Sequence, residues 1–243
     1  MKTNPTSSLR NIETRGAAPR RAFLKNCAIV GTGLALALRG NAAEPMMPAA
    51  ADIWEIFRTR RSVRKFKSNP VSESDIRKIL DAARLAATSG NQQPWKFLVI
   101  RDPAKIEAMR KATVDHALSR AGDNVDEKKR QQVEQRVSGY FSAPVYIVVL
   151  TDNHSRYPDY NHWDGPLAAG NLMLAARALG YGTVFITDAI SEETTKSVLK
   201  IPDRYTRVCI TPVGVPVEWP APPTKKSLDE FIAWETLPPD ATS

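Results

Sequence analysis

A dense basic cluster near residue 60 is the part of the sequence with the clearest chemistry. The run Arg60-Arg61-Ser62-Val63-Arg64-Lys65-Phe66 combines three guanidinium groups, an ammonium and a hydroxyl. Guanidinium forks bind phosphate oxygens and delocalised anions through paired hydrogen bonds. The run therefore predicts an anion-binding site, although a solvated basic helix end has the same composition and is the alternative for this motif taken alone.

A second polar stretch, Ser89-Gly90-Asn91-Gln92-Gln93-Pro94-Trp95, breaks a helix and leads into a strand. Gly90 lets the backbone approach a ligand closely, and amide side chains both donate and accept hydrogen bonds. Asn91 would fit a turn cap as well, and Trp95 would fit a core. Together the two stretches predict two walls of a site for an aromatic, phosphorylated ligand.

Charge and cysteine content exclude several classes of protein. The 243-residue chain has a net charge of +8, but seven basic residues against one acidic residue lie in 1–43. The remainder is almost neutral, so a nucleic-acid partner is not predicted. Cys27 and Cys209 cannot form a metal cluster, and the three histidines lack ligand spacing, so no metal site is predicted.

The N-terminal segment has the pattern of an export signal. A twin-arginine motif at 20–25 precedes an apolar run at 27–38 and small residues for cleavage near Ala42 or Ala43. Residues 1–43 are therefore predicted to be a twin-arginine signal peptide, with a periplasmic mature protein that meets the membrane only during export. An uncleaved membrane anchor is the alternative.

One folded domain is predicted at 52–236, after a Pro/Ala linker at 44–51. Apolar periodicity and breaker residues place its elements along the chain. Helices are predicted at 52–61, 72–88, 164–179 and 191–199, with one or two more within 103–140, and strands at 95–100, 143–150, 184–186 and 207–217. This order favours an α/β or α+β fold with a central mixed β-sheet covered by helices.

These motifs resemble the nitroreductase family of flavin enzymes over about residues 53–233. Three further matches follow the two stretches above in the order typical of that family, and five ordered motifs are far more specific than one. They are Ser142-Ala143-Pro144-Val145, the segment 164–176 with Leu179-Gly180-Tyr181-Gly182, and Val213-Gly214-Val215-Pro216 with Lys225-Lys226-Ser227-Leu228.

The resemblance implies an α+β nitroreductase-like fold, bound FMN and a homodimer with the FMN sites at its interface. Within it, the basic cluster and one of the late lysines would hold the phosphate, and an arginine, Arg61 by preference, would stabilise the reduced flavin. The amide loop would read the imide edge of the ring, and the segment after the third strand would face flavin N5. The implied cofactor-binding residues are Arg60, Arg61, Ser62, Val63, Arg64, Ser89, Gly90, Asn91, Gln93, Thr187, Asp188, Ala189, Lys225 and Lys226.

The implied activity is an FMN-dependent oxidoreductase with a ping-pong cycle. A donor, NAD(P)H or another reductant, would pass electrons through flavin N5 to a nitroaromatic, quinone or similar small acceptor, so no side chain is expected to be catalytic. Export would separate the enzyme from NAD(P)H, so a membrane quinol or a protein donor stays open. A flavin-binding carrier or sensor without turnover is the alternative. His162, Trp163, Tyr140 and Phe141 are candidates for the pocket lining.

Overall fold

A computed structural model describes residues 53–122 and 125–237 of the chain. The predicted signal peptide at 1–43 and linker at 44–51 lie outside the described residues. Within the described ranges, no helix combines the length and the apolar character needed to cross a bilayer.

The described residues form six α-helices and four β-strands. Short 3-10 turns lie at Ser89–Asn91, Pro158–Tyr160 and Leu228–Glu230. In chain order the elements are α1 (Ile53–Thr59), α2 (Glu73–Arg84), β1 (Trp95–Ile100), α3 (Pro103–Ser119), α4 (Glu127–Tyr140), β2 (Val145–Asp152), α5 (Asn161–Ala178), β3 (Gly182–Thr183), α6 (Glu192–Leu199) and β4 (Tyr205–Gly214).

Local side-chain capping explains where several helices begin. Ser72 accepts a hydrogen bond from the Asp75 amide at 3.0 Å and starts α2, as the capping-box spacing predicts. Ser191 accepts from the Thr194 amide at 3.0 Å and starts α6. The predicted end of α2 at residue 88 is wrong. The helix ends at Arg84 because Leu85 closes the last turn through a tighter hydrogen bond to Ala82.

The four strands form one antiparallel sheet in the order β1-β2-β4-β3, and the α+β fold class is confirmed. Parallel pairing within the described residues is confined to an isolated bridge between Ser62 and Thr183. The prediction of a mixed sheet therefore holds only for that bridge, because the pairs β1–β2, β2–β4 and β4–β3 are all antiparallel.

The predicted strand at 184–186 is wrong in its bounds, and a proline explains the error. In the β3–β4 register, Val184 would stand opposite Pro212, which has no N–H to donate to the Val184 carbonyl. The Thr211 hydroxyl donates to that carbonyl instead, at 2.6 Å. The ladder therefore stops at Thr183, and Ile186 returns only as an isolated bridge.

Helices cover both faces of the sheet, so the core consists of two apolar clusters. On β2, Tyr146 and Val148 belong to one cluster, with residues of α3 such as Met109. Ile147 and Val149 belong to the other, with residues of α2 and α5. This alternation follows from the two-residue period of a strand. Residue Cys209 of β4 is fully buried, and burial raises the pKa of its thiol to about 12, as expected for an inert core residue.

Gly182 provides a test of how tightly β3 is packed. A Cβ at this position would lie 2.7 Å from the Val63 Cβ and 2.9 Å from the Pro216 Cγ. We expect Gly182→Ala to lower the free energy of unfolding by about 1–3 kcal/mol through overpacking. Thermal and denaturant unfolding would measure the change.

Gly170→Ala is the matched control, because a Cβ at Gly170 on α5 would meet nothing within 4 Å. Replacing a helical glycine there should leave stability unchanged or raise it by about 0.5–1 kcal/mol. Equal losses in the two variants would contradict the packing argument.

Candidate functional site

The basic segment is held on the edge of the sheet by its own backbone. The Val63 amide donates to the Thr183 carbonyl at 2.9 Å, and the Lys67 amide donates to the Val215 carbonyl at 2.8 Å. The side chains of Val63 and Phe66 are buried in the core. Val63 is one of the predicted cofactor-binding residues, and its side chain packs in the core. Arg64, which lies between these anchors, is exposed on the outer side.

Five cations and a hydroxyl line one cavity of about 630 Å³ beside this segment. Segments that are distant in sequence meet here, since the chain at 220–225 forms the facing wall. One of the five, Arg58, pairs with Glu55 at 3.2 Å, and no carboxylate among the described residues forms an ion pair with the other four. The five predicted site residues that the structure brings together are Arg60, Arg61, Ser62, Arg64 and Lys225.

Arg61 also serves the end of α1. Its Nη1 donates to the carbonyl oxygens of Arg58 and Arg60 at 2.6 and 2.7 Å, so the guanidinium caps carbonyls that the helix leaves unpaired. The Nε of Arg61 is buried and has no hydrogen-bond partner in the described part of the chain. The predicted contact between Arg61 and a reduced ring must therefore coexist with this cap.

The two late lysines have different surroundings. Lys225 lines the cation-rich cavity. Lys226 points to Glu230, with 3.7 Å between Nζ and the carboxylate, and its side chain is 70% exposed. The sequence left open which lysine would face the anion, and the structure places Lys225 at the cavity.

The amide loop lies elsewhere in the single chain, because the lining of the cation-rich cavity does not include Ser89, Gly90, Asn91 or Gln93. Its backbone is constrained, with φ of 55° at Gly90, 54° at Asn91 and 49° at Gln93. A Cβ at Gly90 would approach the Tyr157 ring to 2.6 Å, so glycine is required there. The Asn91 Oδ1 accepts a hydrogen bond from the Gln93 Nε2 at 3.1 Å.

A buried carboxylate in α5 holds this loop. The Asp164 Oδ1 accepts from the Ser89 amide at 3.1 Å, and the Asp164 Oδ2 accepts from the Gln92 Nε2 at 2.7 Å. The Gln92 Oε1 in turn accepts from the Tyr157 amide at 2.7 Å. Sequence reasoning missed the roles of Asp164 and Gln92. The available signal was a carboxylate in an Ala-rich apolar helix, because such a group needs partners when buried.

Arg207 holds the predicted N5-facing segment. Its Nη2 donates to the Thr187 carbonyl at 2.6 Å, and its Nη1 donates to the Ile190 carbonyl at 2.7 Å and the Thr195 hydroxyl at 2.9 Å. Burial lowers the pKa of the Arg207 guanidinium. Sequence reasoning missed Arg207 too, because an arginine at the start of a strand usually faces solvent. The turn at 187–190 is consequently tied to β4.

This turn separates two further cavities. Thr187 lines one of about 590 Å³, together with Phe185 and His162. Asp188 and Ala189 line another of about 350 Å³, together with Tyr140.

The four residues predicted to line the pocket, His162, Trp163, Tyr140 and Phe141, have different surroundings. His162 and Tyr140 line these cavities. The Trp163 ring lies 3.9 Å from the His162 ring, centroid to centroid, and is 57% exposed. Phe141 stacks on Tyr146 at 5.5 Å and packs against the core. Only His162 and Tyr140 among the four are therefore placed at a cavity.

The fold and the cation-lined cavity together define an α+β protein with a site suited to a phosphorylated ligand. Residues 57–215 match the profile of the nitroreductase family, and the chain belongs to that family.

Individual relatives agree with this assignment. A protein of Archaeoglobus fulgidus named "Putative NADH dehydrogenase/NAD(P)H nitroreductase" is 34% identical over 165 residues, which are 65% of this chain and 82% of the relative. The crystal structure of a "putative nitroreductase in complex with fmn" from Desulfovibrio desulfuricans is 25% identical, with a TM-score of 0.59 over 77% of this chain and 98% of that one. A BluB-like flavoprotein from Clostridium difficile 630 is 26% identical, with a TM-score of 0.62 over 76% of this chain and 99% of that one.

The role of Arg207 can be tested by removing its guanidinium. We expect Arg207→Ala to lower the free energy of unfolding by about 1–3 kcal/mol, because the carbonyl of the buried Ile190 and the hydroxyl of the buried Thr195 lose a donor. Amide hydrogen exchange of residues 187–190 should rise selectively, and mass spectrometry of proteolytic peptides would measure it.

Arg204→Ala is the control for this variant. Arg204 pairs with Asp152 at 2.5 Å and does not contact the turn. That variant should leave exchange at 187–190 unchanged. A similar rise in both variants would mean that general destabilisation, and not the Arg207 contacts, controls the turn.

Proposed function

We propose that this chain is an FMN-dependent oxidoreductase that works by a ping-pong cycle with a small-molecule donor and acceptor. The observation that carries the proposal is the cavity where Arg60, Arg64 and Lys225 converge without carboxylate partners in the described structure. A donor set of guanidinium, ammonium and hydroxyl groups fits a phosphate monoester. The FMN complex of the Desulfovibrio desulfuricans relative supports the choice of ligand.

The chain's own residues would hold and orient this cofactor. Arg60, Arg64 and Lys225 would neutralise the phosphate, and the Ser62 hydroxyl would donate to it. Bound FMN supplies two-electron transfer through N5 of its ring, and the protein contributes position and electrostatics. The turn at 187–189, held by Arg207, would present a backbone N–H to the ring.

The proposed donor is NAD(P)H or another small reductant, and the proposed acceptor is a nitroaromatic or quinone. The name of the Archaeoglobus fulgidus relative supports a nicotinamide donor and a nitro acceptor. The twin-arginine motif at 20–25 supports export to the periplasm. If residues 1–43 direct export, a membrane quinol or a protein partner becomes the more available donor.

We also propose a homodimer with sites at its interface. The amide loop at 89–93 does not line the cation-rich cavity of its own chain, and a second copy could supply it. Large apolar side chains are exposed on α5, as at Leu167 with 51%, and in the C-terminal segment, as at Phe231 with 70% and Trp234 with 80%. Monomeric proteins rarely leave such side chains together on the surface, so these residues favour an interface.

Purification of the exported form tests the central proposal. We expect a yellow protein that releases FMN on denaturation and is bleached by a donor and reoxidised by a nitroaromatic or quinone. A protein with bound FMN that neither NAD(P)H nor a quinol reduces would favour a carrier or sensor. A colourless protein that does not bind added FMN at micromolar concentration would refute the proposal.

The two adjacent lysines offer a matched pair of variants. Lys225→Gln should weaken FMN binding about tenfold, because a phosphate contact to a cation contributes about 1.5 kcal/mol or more. Lys226→Gln should change the dissociation constant less than twofold, since Lys226 pairs with Glu230. Fluorescence titration of FMN into the apoprotein would measure both. Equal effects would show that the phosphate lies outside this cavity.

The dimer proposal predicts the effect of charges placed in the C-terminal segment. The double variant Phe231→Asp and Trp234→Asp should shift the protein towards monomer, because it buries charge in an apolar interface. Sedimentation velocity would measure the shift. A control with the same added charge, Gln131→Asp and Gln135→Asp on exposed α4 positions, should stay dimeric. A monomeric parent protein would disprove the proposal outright.

A further inference from the structure

A small cavity beside the turn at 188–189 has a charge pattern that the proposed cofactor site does not use. It has a volume of about 350 Å³, at the lower end of the range for small-molecule pockets. Helices α3 and α4 form one wall, and the turn forms another. The space suits a compound with one aromatic ring better than a dinucleotide.

Two arginines define the electrostatics of the helical wall. Arg120 follows the end of α3, and Arg136 lies on α4. Both arginines also border an adjoining cavity of about 330 Å³, where Lys129 adds a third cation. No carboxylate among the described residues forms an ion pair with either arginine. By contrast, Arg110 on the same helix α3 pairs with Glu107 at 2.6 Å.

The other polar groups of the cavity limit where an anion would bind. His116 on α3 adds a ring nitrogen beside the two arginines. Asp188 is the one carboxylate in the lining, and it belongs to the turn. An anionic group would therefore bind against the helices, while the turn would face the uncharged part of the ligand.

The cavity adjoins the cation-rich cavity through one contact. The Arg64 guanidinium lies 5.8 Å from the centroid of the Tyr140 ring. Arg64 lines the cation-rich cavity and Tyr140 lines the smaller one. A ligand in the smaller cavity thus lies beside the proposed cofactor site and against Ala189 of the turn.

We infer that this smaller cavity binds the acceptor, and that Arg120 and Arg136 select acceptors that carry a carboxylate or a similar anionic group on an aromatic ring. The identity of the ligand as an acceptor rests on the proposed function. The selection for an anion rests only on the cavity and its two arginines. Charge-assisted hydrogen bonds from two guanidinium groups are strong enough to discriminate between an anion and a neutral analogue of the same shape.

A binding experiment tests the selection without any redox reaction. Titration calorimetry of the protein as purified would compare benzoate with benzamide, which has nearly the same shape and no charge. We expect benzoate to bind about tenfold more tightly, since charge contacts to two exposed arginines contribute. In 1 M salt the preference should shrink, because the screening length falls to about 3 Å.

Two double variants test whether Arg120 and Arg136 cause the preference for benzoate. The double variant Arg120→Gln and Arg136→Gln should bind benzoate and benzamide equally. The control, Lys105→Gln and Arg130→Gln, removes the same charge from α3 and α4 at exposed positions outside the cavity, and it should keep the preference. Equal binding of the two ligands to the parent protein, or loss of the preference in the control as well, would overturn the inference.

Kinetics with 4-nitrobenzoate and 4-nitrobenzamide separate this inference from the proposed function. The ratio of their kcat/KM values should favour the nitrobenzoate about tenfold, mainly through KM, and should approach one in the Arg120 and Arg136 variant. An FMN-containing enzyme that reduces both equally would refute the selection and leave the proposed function standing. Selective benzoate binding by a protein that holds no FMN would support the selection and refute the proposed function. A variant that shifts the flavin potential and keeps the benzoate preference would assign the arginines to the cofactor and refute the inference.

Discussion

The pairing of the segment 62–67 with the edge of the sheet is the constraint on which the cation-rich cavity depends. Backbone hydrogen bonds from Val63 to Thr183 and from Lys67 to Val215 fix this segment at both ends. Val63 packs against Gly182, where no Cβ could fit, and so sets how closely the segment approaches β3. Because buried residues anchor the backbone, Arg64 and the two arginines just before Ser62 can face one cavity, and none of these three pairs with a carboxylate of the described residues.

A buried carboxylate and a half-buried guanidinium hold the other candidate loops by a different means. Asp164 binds the amide loop through Ser89 and Gln92, and Arg207 binds the turn through Thr187 and Ile190. A buried carboxylate is unfavourable unless its hydrogen bonds are satisfied, and the Arg207 guanidinium makes three hydrogen bonds, so each group restricts the arrangement of its loop. Both therefore act by positioning, and the residues that would touch a ligand are their neighbours. This division explains how a family that relies on cofactor chemistry can have few reactive side chains of its own.

Much of the secondary structure could be predicted from local pattern. The cap at Ser72 and the strand β1 are both where periodicity and turn residues place them. The strand at 184–186 could not be bounded in this way, because its partner Pro212 is distant in sequence and the missing N–H matters only in the paired register. The direction of the strands likewise depends on which strands become neighbours, and a single sequence does not record this.

For the site, the sequence by itself determined the chemistry. The concentration of arginines after α1 and the amide loop before β1 predict an anionic, ring-shaped cofactor. The nearly neutral composition of residues 44–243 does not predict a nucleic-acid partner. Residue type alone carries this information, because guanidinium and amide groups have fixed donors and acceptors. Only the tertiary structure decided which groups meet. It separated Lys225 from Lys226, placed the amide loop away from the cation-rich cavity and showed that Arg207 holds the turn, since these contacts join residues that are far apart in the chain.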